Sequence, residues 1–211
     1  MAALIPAAGM GTRLGESKPK AFVEVGGSTL LERSVAAARE SGVIDDIVVA
    51  VPEELLDRAQ QLVPAARVVV GGAERSDSVR AALAVTDAEL VLVHDAARPL
   101  TPPALFVAVV DALRCGDAAV VPGLPVADTL KRVDDAQFVT DTVDRSILRA
   151  VQTPQGFAAE LLRRAHAGAQ DATDDAGLVE ALGVGVHVID GDAMAFKVTT
   201  PFDLRLARLL A

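Results

Sequence analysis

The chain has one cysteine, no tryptophan, no tyrosine and only four lysines among its 20 basic residues. With Cys115 alone, no internal disulfide can form, and a reducing cytoplasm is the expected setting. Without Trp or Tyr, a nucleobase would not be read by aromatic stacking; backbone groups and small polar side chains would have to do it. No apolar run approaches the ~20 residues that a membrane span needs. The opening MAALIPAAG lacks a basic n-region and breaks at Pro6, so it is not expected to be a secretory signal. Net positive charge is also missing. The formal charge is −9, which argues against nucleic acid as a partner, because a phosphate backbone demands a basic face. Any polyphosphate ligand must therefore be met by local cations. In a chain that uses arginine as its general surface cation, Lys18, Lys20, Lys131 and Lys197 stand out, because an ammonium is a point charge and not a fork.

What the chain does have is apolar residue in quantity, 51% of 211 residues, enough to build one domain of ordinary size. Strand and helix signals alternate. Ala2–Pro6, Asp46–Val51, Arg67–Val70, Leu90–His94, Ala118–Pro122 and Val186–Ile189 read as strands. Thr29–Glu40, Glu53–Leu62, Arg75–Val85, Pro102–Arg114, Phe157–Ala167, Asp174–Leu182 and Pro201–Leu210 read as helices. Most of the strand runs are apolar throughout and do not alternate, as in a parallel sheet covered on both faces. The expected fold is a single α/β domain over residues 1–211, with a doubly wound, mostly parallel sheet of Rossmann-like type. Residues 126–150 break the rhythm. They are rich in Thr and Val around Asp134-Asp135-Ala136 and predict a protruding β-hairpin arm. A lone hairpin is marginal in water, so the arm is expected to reach a second subunit; a hairpin folded back on its own domain is the competing arrangement.

In a doubly wound fold, ligands sit beyond the carboxyl ends of the strands. Three segments fall there: the loop after the first strand, Gly71-Gly72, and Asp95–Pro99. The first is the most informative. LIPAAGMGTRLGESKPKAF is a strand, a glycine-rich turn, then Arg13, Lys18 and Lys20. Such a loop leaves backbone N–H groups uncovered next to cations and suits a nucleoside triphosphate. It is not a Walker A loop. Gly9, Gly11 and Gly15 are spaced one residue too long for a dinucleotide fingerprint, which weighs against a redox protein.

Together with GGAERSDSV (71–79), HDAARP (94–99), ADTLKR (127–132), DRSILRAVQTPQGF (144–157), TDDA (173–176) and FKVTTPFDL (196–204), that string resembles the 2-C-methyl-D-erythritol 4-phosphate cytidylyltransferase family nearly end to end, with the motifs in order. The resemblance implies a nucleotidyltransferase fold. It also implies transfer of a cytidylyl group from CTP to a polyol phosphate, with release of pyrophosphate, in non-mevalonate isoprenoid synthesis. It makes Arg13, Lys20 and Lys197 the catalytic cations. It places Pro6, Ala7, Ala8, Gly9, Gly11, Gly72, Ser78, Asp95 and Ala96 around the nucleotide. It gives Asp95, Arg98, Thr129, Arg145 and Thr153 to the polyol phosphate, Thr129 and Arg145 acting across a homodimer interface. Mg²⁺, or another divalent cation, is expected to be held mainly through the triphosphate, with no firm protein ligand. His94 is read as a structural residue at a strand end, and the role of Lys131 is open. Ala73 and Ala195 depart from the Asp and Asn often found in the family. A cytidylyltransferase for another polyol phosphate, such as ribitol 5-phosphate, and a catalytically silent nucleotide-binding subunit remain the alternatives.

Overall fold

The computed structural model describes residues 1–9, 14, 18–168 and 172–211. In chain order the strands are β1 (Ala2–Pro6), β2 (Glu24–Val25), β3 (Ser28–Thr29), β4 (Asp46–Val51), β5 (Arg67–Val70), β6 (Leu90–Val93), β7 (Ala119–Pro125), β8 (Leu130–Val133), β9 (Val139–Val143), β10 (Arg149–Val151), β11 (Gln155–Ala158) and β12 (His187–Asp190). The helices are α1 (Leu30–Glu40), α2 (Leu56–Leu62), α3 (Arg75–Leu83), α4 (Pro103–Arg114), α5 (Ala159–Ala167), α6 (Asp175–Glu180) and α7 (Pro201–Leu210). None is long and apolar enough to cross a membrane.

The uninterrupted apolar strands do what their composition requires. Successive residues of a strand point to opposite faces, and here both faces are covered. Ala3 and Ile5, Val49 and Val51, and Leu92 join a core with Leu31, Val35, Phe106 and Val110 from α1 and α4. Ala2 and Leu4, Val48, and Val91 and Val93 join the opposite core with Val79, Leu83, Leu162 and Val179 from α3, α5 and α6. The sheet order is β10-β7-β11-β6-β1-β4-β5, with β12 on the far side of β7. Strands β6, β1, β4 and β5 run parallel. The chain goes from β1 to β4 and β5 on one side, then crosses to β6 on the other, so the strand order reverses beside β1.

Two strands differ from the sequence reading. Residues 155–158, placed partly in a helix by that reading, form β11, which is inserted antiparallel between β6 and β7, and the helix starts at Ala159. QGFA hides this because Gln155 serves a side-chain bond and Gly156 has no side chain. A Cβ on Gly156 would lie 2.5 Å from Val109 Cγ1 and 2.8 Å from Leu113 Cδ1, so α4 can lie against the strand only over glycine. The arm is also shorter than 126–150. β8 and β9 pair antiparallel as a separate two-stranded sheet, nearly every residue of it exposed. Residues 149–151 return to the central sheet as β10, antiparallel to β7.

His94, just past β6, is fully buried. Its Nδ1 lies 3.1 Å from Thr153 Oγ1, and its ring packs on Phe106 at 4.9 Å. Burial pulls its pKa down to about 4. The unfolded chain takes up this proton near pH 6.5 and the folded chain only near 4. Between those values the unfolded state binds more protons, so folding stability is lost as the pH falls from 6.5 to 4. The expected contribution is ~1.4 kcal/mol per pH unit, about 3 kcal/mol over the window. Urea unfolding of His94→Gln across this range should give a shallower pH dependence than the unsubstituted chain; equal slopes would contradict the assignment.

Candidate active site

Beyond the carboxyl ends of β1, β5 and β6, three loops are held by bonds that extend the strand ladders. Ala7 N–H donates to the Ala50 carbonyl at 2.8 Å, Gly71 N–H to Val51 at 2.7 Å, and His94 N–H to Leu4 at 2.9 Å. The loops enclose a cavity of ≈ 320 Å³. Pro6 to Gly9 form one wall, Gly72 and Ser78 another, and Asp95 with Ala96 the third, while Lys20 and Lys197 enter from two further segments. Ten of the expected site residues thus meet in one crevice. A neighbouring cavity of ≈ 240 Å³ is lined by Arg98, Thr153, Gln155 and Asp174, and shares Arg75, Asp95 and Lys197 with the first.

Local chemistry explains these positions. Lys20 opens a short 3-10 turn, Lys20–Phe22, preceded by Pro19 at φ −53° and anchored by the buried Phe22. Ser78 sits under the Gly71-Gly72 turn. A Cβ on Gly71 would lie 2.7 Å from Ser78 Oγ, and one on Gly72 2.1 Å from Asp77 Cβ, so the turn must be glycine for α3 to approach. Lys197 is brought from the far end of the chain. Val198 N–H donates to the Ala97 carbonyl at 2.8 Å, the Arg98 guanidinium donates to the Ala195 carbonyl at 2.6 Å, and a Thr200/Asp203 capping box with Pro201 starts α7 just beyond.

Asp95 joins the two cavities. Its backbone N–H donates to Thr153 Oγ1 at 3.1 Å. One carboxylate oxygen takes the Lys197 ammonium at 2.8 Å, and the other takes Arg75 Nε at 3.0 Å. Burial alone would raise its pKa, but Arg75 and Lys197 outweigh that and hold the carboxyl well below the usual range. Asp95 therefore stays ionised near neutral pH and is unsuited to be a general base. Arg75 spans further, donating to Asp175 at 2.7 Å. Burial works against its charge, but Asp175 and Asp95 raise its pKa. Behind it, the His166 imidazole Nε2 donates to the other oxygen of Asp175 at 2.8 Å.

Chain, motifs and crevice agree with one match: the family model for 2-C-methyl-D-erythritol 4-phosphate cytidylyltransferase covers residues 1–211. The chain belongs to this cytidylyltransferase family. It is 63% identical to the Rhodococcus opacus (strain B4) member, over 99% of this chain and 93% of that protein. It is 60% identical to the Nocardia farcinica (strain IFM 10152) member, over 99% and 92%. Among solved structures it is similar to the cytidylyltransferase from Thermus thermophilus, with TM-score 0.86 and 44% identity over 99% of this chain and 97% of that one. The mostly parallel sheet with its flanking helices is the family's nucleotidyltransferase fold.

Not every family expectation converges on the crevice. Arg13 and Gly11 lie outside the described residues. Thr129 and Arg145 are exposed on the arm and line neither cavity; Arg145 donates to the Ala127 carbonyl. Lys131 donates to Thr142 Oγ1 across the hairpin at 2.6 Å. Conversely, the sequence reading did not single out Arg75, Asp175 or His166. Arg75 and Asp175 stand inside the quoted GGAERSDSV and TDDA motifs, three positions before Ser78 and one after Asp174, but nothing in the spacing says that residues 100 apart in sequence share an ion pair. His166 had no signal at all.

Proposed function

We propose that the two joined cavities carry out cytidylyl transfer: CTP and 2-C-methyl-D-erythritol 4-phosphate give 4-diphosphocytidyl-2-C-methyl-D-erythritol and pyrophosphate. The observation that carries this reading is the meeting of Lys20 and Lys197 around one crevice, whose Asp95 also faces the second cavity. A phosphate oxygen of the polyol phosphate attacks the α-phosphorus of CTP in line. The bond from that phosphorus to the β-phosphate bridging oxygen breaks, and pyrophosphate leaves. The chain contributes position and positive charge and forms no covalent intermediate. Lys20 and Lys197 meet the charge on the phosphates, and the family resemblance adds Arg13. The ≈ 240 Å³ cavity takes the polyol, with Arg98, Thr153 and Asp95 at hand.

The residues present fit a divalent cation that arrives with the nucleotide. Both oxygens of Asp95 already hold cations, and among the described residues no three metal-ligating side chains cluster. Mg²⁺ prefers to keep phosphate oxygens and waters as ligands; when bound it would neutralise charge on the triphosphate. The arm, with Phe138 and Ile147 72% and 77% exposed, suits a homodimer in which Thr129 and Arg145 complete the neighbour's crevice. The single cysteine fits a cytoplasmic setting.

The experiment is to incubate the protein with Mg²⁺, each nucleoside triphosphate and each candidate polyol phosphate, and to follow pyrophosphate release. Methylerythritol phosphate should exceed ribitol 5-phosphate. The small walls at Ala7, Ala8 and Gly72 leave room for a pyrimidine, so CTP should exceed ATP and GTP by at least ~10²-fold in kcat/KM, in line with the discrimination that a shaped, hydrogen-bonding pocket achieves. Comparable values for ATP and CTP would refute this pocket.

A further inference from the structure

We propose that Arg75 is a positioning residue: clamped between Asp95 and Asp175, with His166 behind, it fixes the Asp95 carboxylate and thereby the Lys197 ammonium at the junction of the two cavities. The inference rests on the reading above that Lys197 serves the reaction.

The geometry is a chain in which every carboxylate oxygen has its own partner. Lys197 Nζ meets Asp95 Oδ2 at 2.8 Å, and Arg75 Nε meets Asp95 Oδ1 at 3.0 Å. Arg75 Nη1 meets Asp175 Oδ2 at 2.7 Å, and His166 Nε2 meets Asp175 Oδ1 at 2.8 Å. The far end is rigid. The Asp175 and His166 side chains are 1% and 2% exposed, on the neighbouring helices α6 and α5. The near end is open: the Lys197 side chain is 45% exposed. A flexible four-carbon stem has no fixed aim by itself. Here its charge is aimed by a carboxylate whose plane is set by Arg75, which itself lines both cavities and is anchored on the buried Asp175. The planar guanidinium addresses the two carboxylates through two different nitrogens, Nε and Nη1, where an ammonium has only one. Ion pairs that bury a carboxylate under a partly exposed cation contribute little net stability compared with apolar packing, so stability alone does not account for a support that runs from the crevice into the core.

The test is a double-mutant cycle read as steady-state kinetics. Arg75→Lys keeps the charge but cannot span both carboxylates. It should lower kcat about tenfold or more, since a displacement of ~1 Å at a reacting centre costs up to ~10²-fold, with KM for CTP changed by less than about threefold. In a Lys197→Ala background the same substitution should cost almost nothing further, because residues acting through one group are not additive. His166 supplies a second pair that keeps the test informative if Arg75→Lys melts early. His166→Leu should lower kcat several-fold in the unsubstituted chain but not in Lys197→Ala. His166→Gln, which can still offer an N–H to Asp175, should recover most of the rate at equal folded fraction. Unchanged kcat in Arg75→Lys and His166→Leu, or losses that multiply fully with that of Lys197→Ala, would overturn the inference while leaving the proposed reaction standing. Wild-type turnover in Lys197→Ala itself would remove the role of Lys197, and this support with it.

Discussion

Lys20→Ala should lower kcat by ~10²–10³ while the protein stays folded. Lys20 stands at the start of the turn Lys20–Phe22 and lines the ≈ 320 Å³ crevice. Its neighbours in that turn, Ala21 and Phe22, carry the packing and are buried, so trimming the lysine leaves the anchor intact. In phosphoryl and nucleotidyl transfer the protein's main lever is fixed charge near the reacting phosphorus, and removing one well-aimed charged group raises the barrier by ~3–4 kcal/mol. Circular dichroism should overlay that of the unsubstituted protein, with at most a small fall in Tm, because Lys20 also acts electrostatically on Asp203. Turnover within a few-fold of the parent would remove Lys20 from the reaction.

Mixing two inactive proteins should restore activity if the site is shared. Arg145 and Thr129 belong to a hairpin segment that lines neither cavity of its own chain, and the exposed Leu130, Val133, Phe138 and Val139 give that arm an unburied apolar surface. Arg145→Ala alone should damage use of the polyol phosphate far more than binding of CTP. Combined with Lys20→Ala and allowed to exchange subunits, about half the dimers are mixed. Each mixed dimer has one crevice with both residues intact and one with both defects. By the two-fold symmetry of such a dimer, roughly a quarter of the parent activity should return. Persistent inactivity after exchange has been verified by a mass-tagged subunit would mean that Arg145 serves its own chain.

The sequence determined more of this protein through absence and order than through any single motif. Apolar strands without alternation can be buried only on both faces, so the layered α/β sheet and its buried parallel strands β1, β4 and β6 followed from pattern alone, with the half-exposed β5 at the edge. Glycine-rich turns and cations at the ends of those strands marked the crevice before its shape was known, because strand ends in such a sheet must converge. Tertiary structure decided what depends on distant segments meeting. β11 is a strand because it pairs with β6 and β7 beneath α4, which Gly156 lets approach, and a four-residue strand containing Gln and Gly carries no local periodicity. Which oxygen of Asp95 meets Lys197 and which meets Arg75 depends on joining positions 75, 95, 175 and 197 across two loops and the first residues of two helices. The burial that pulls His94 to about 4 likewise comes from packing such as the Phe106 ring of α4, which the fold lays against it. Local propensity is a property of neighbours along the chain, whereas ion pairs, close backbone approach and desolvation are properties of neighbours in space, and only the folded chain assigns those.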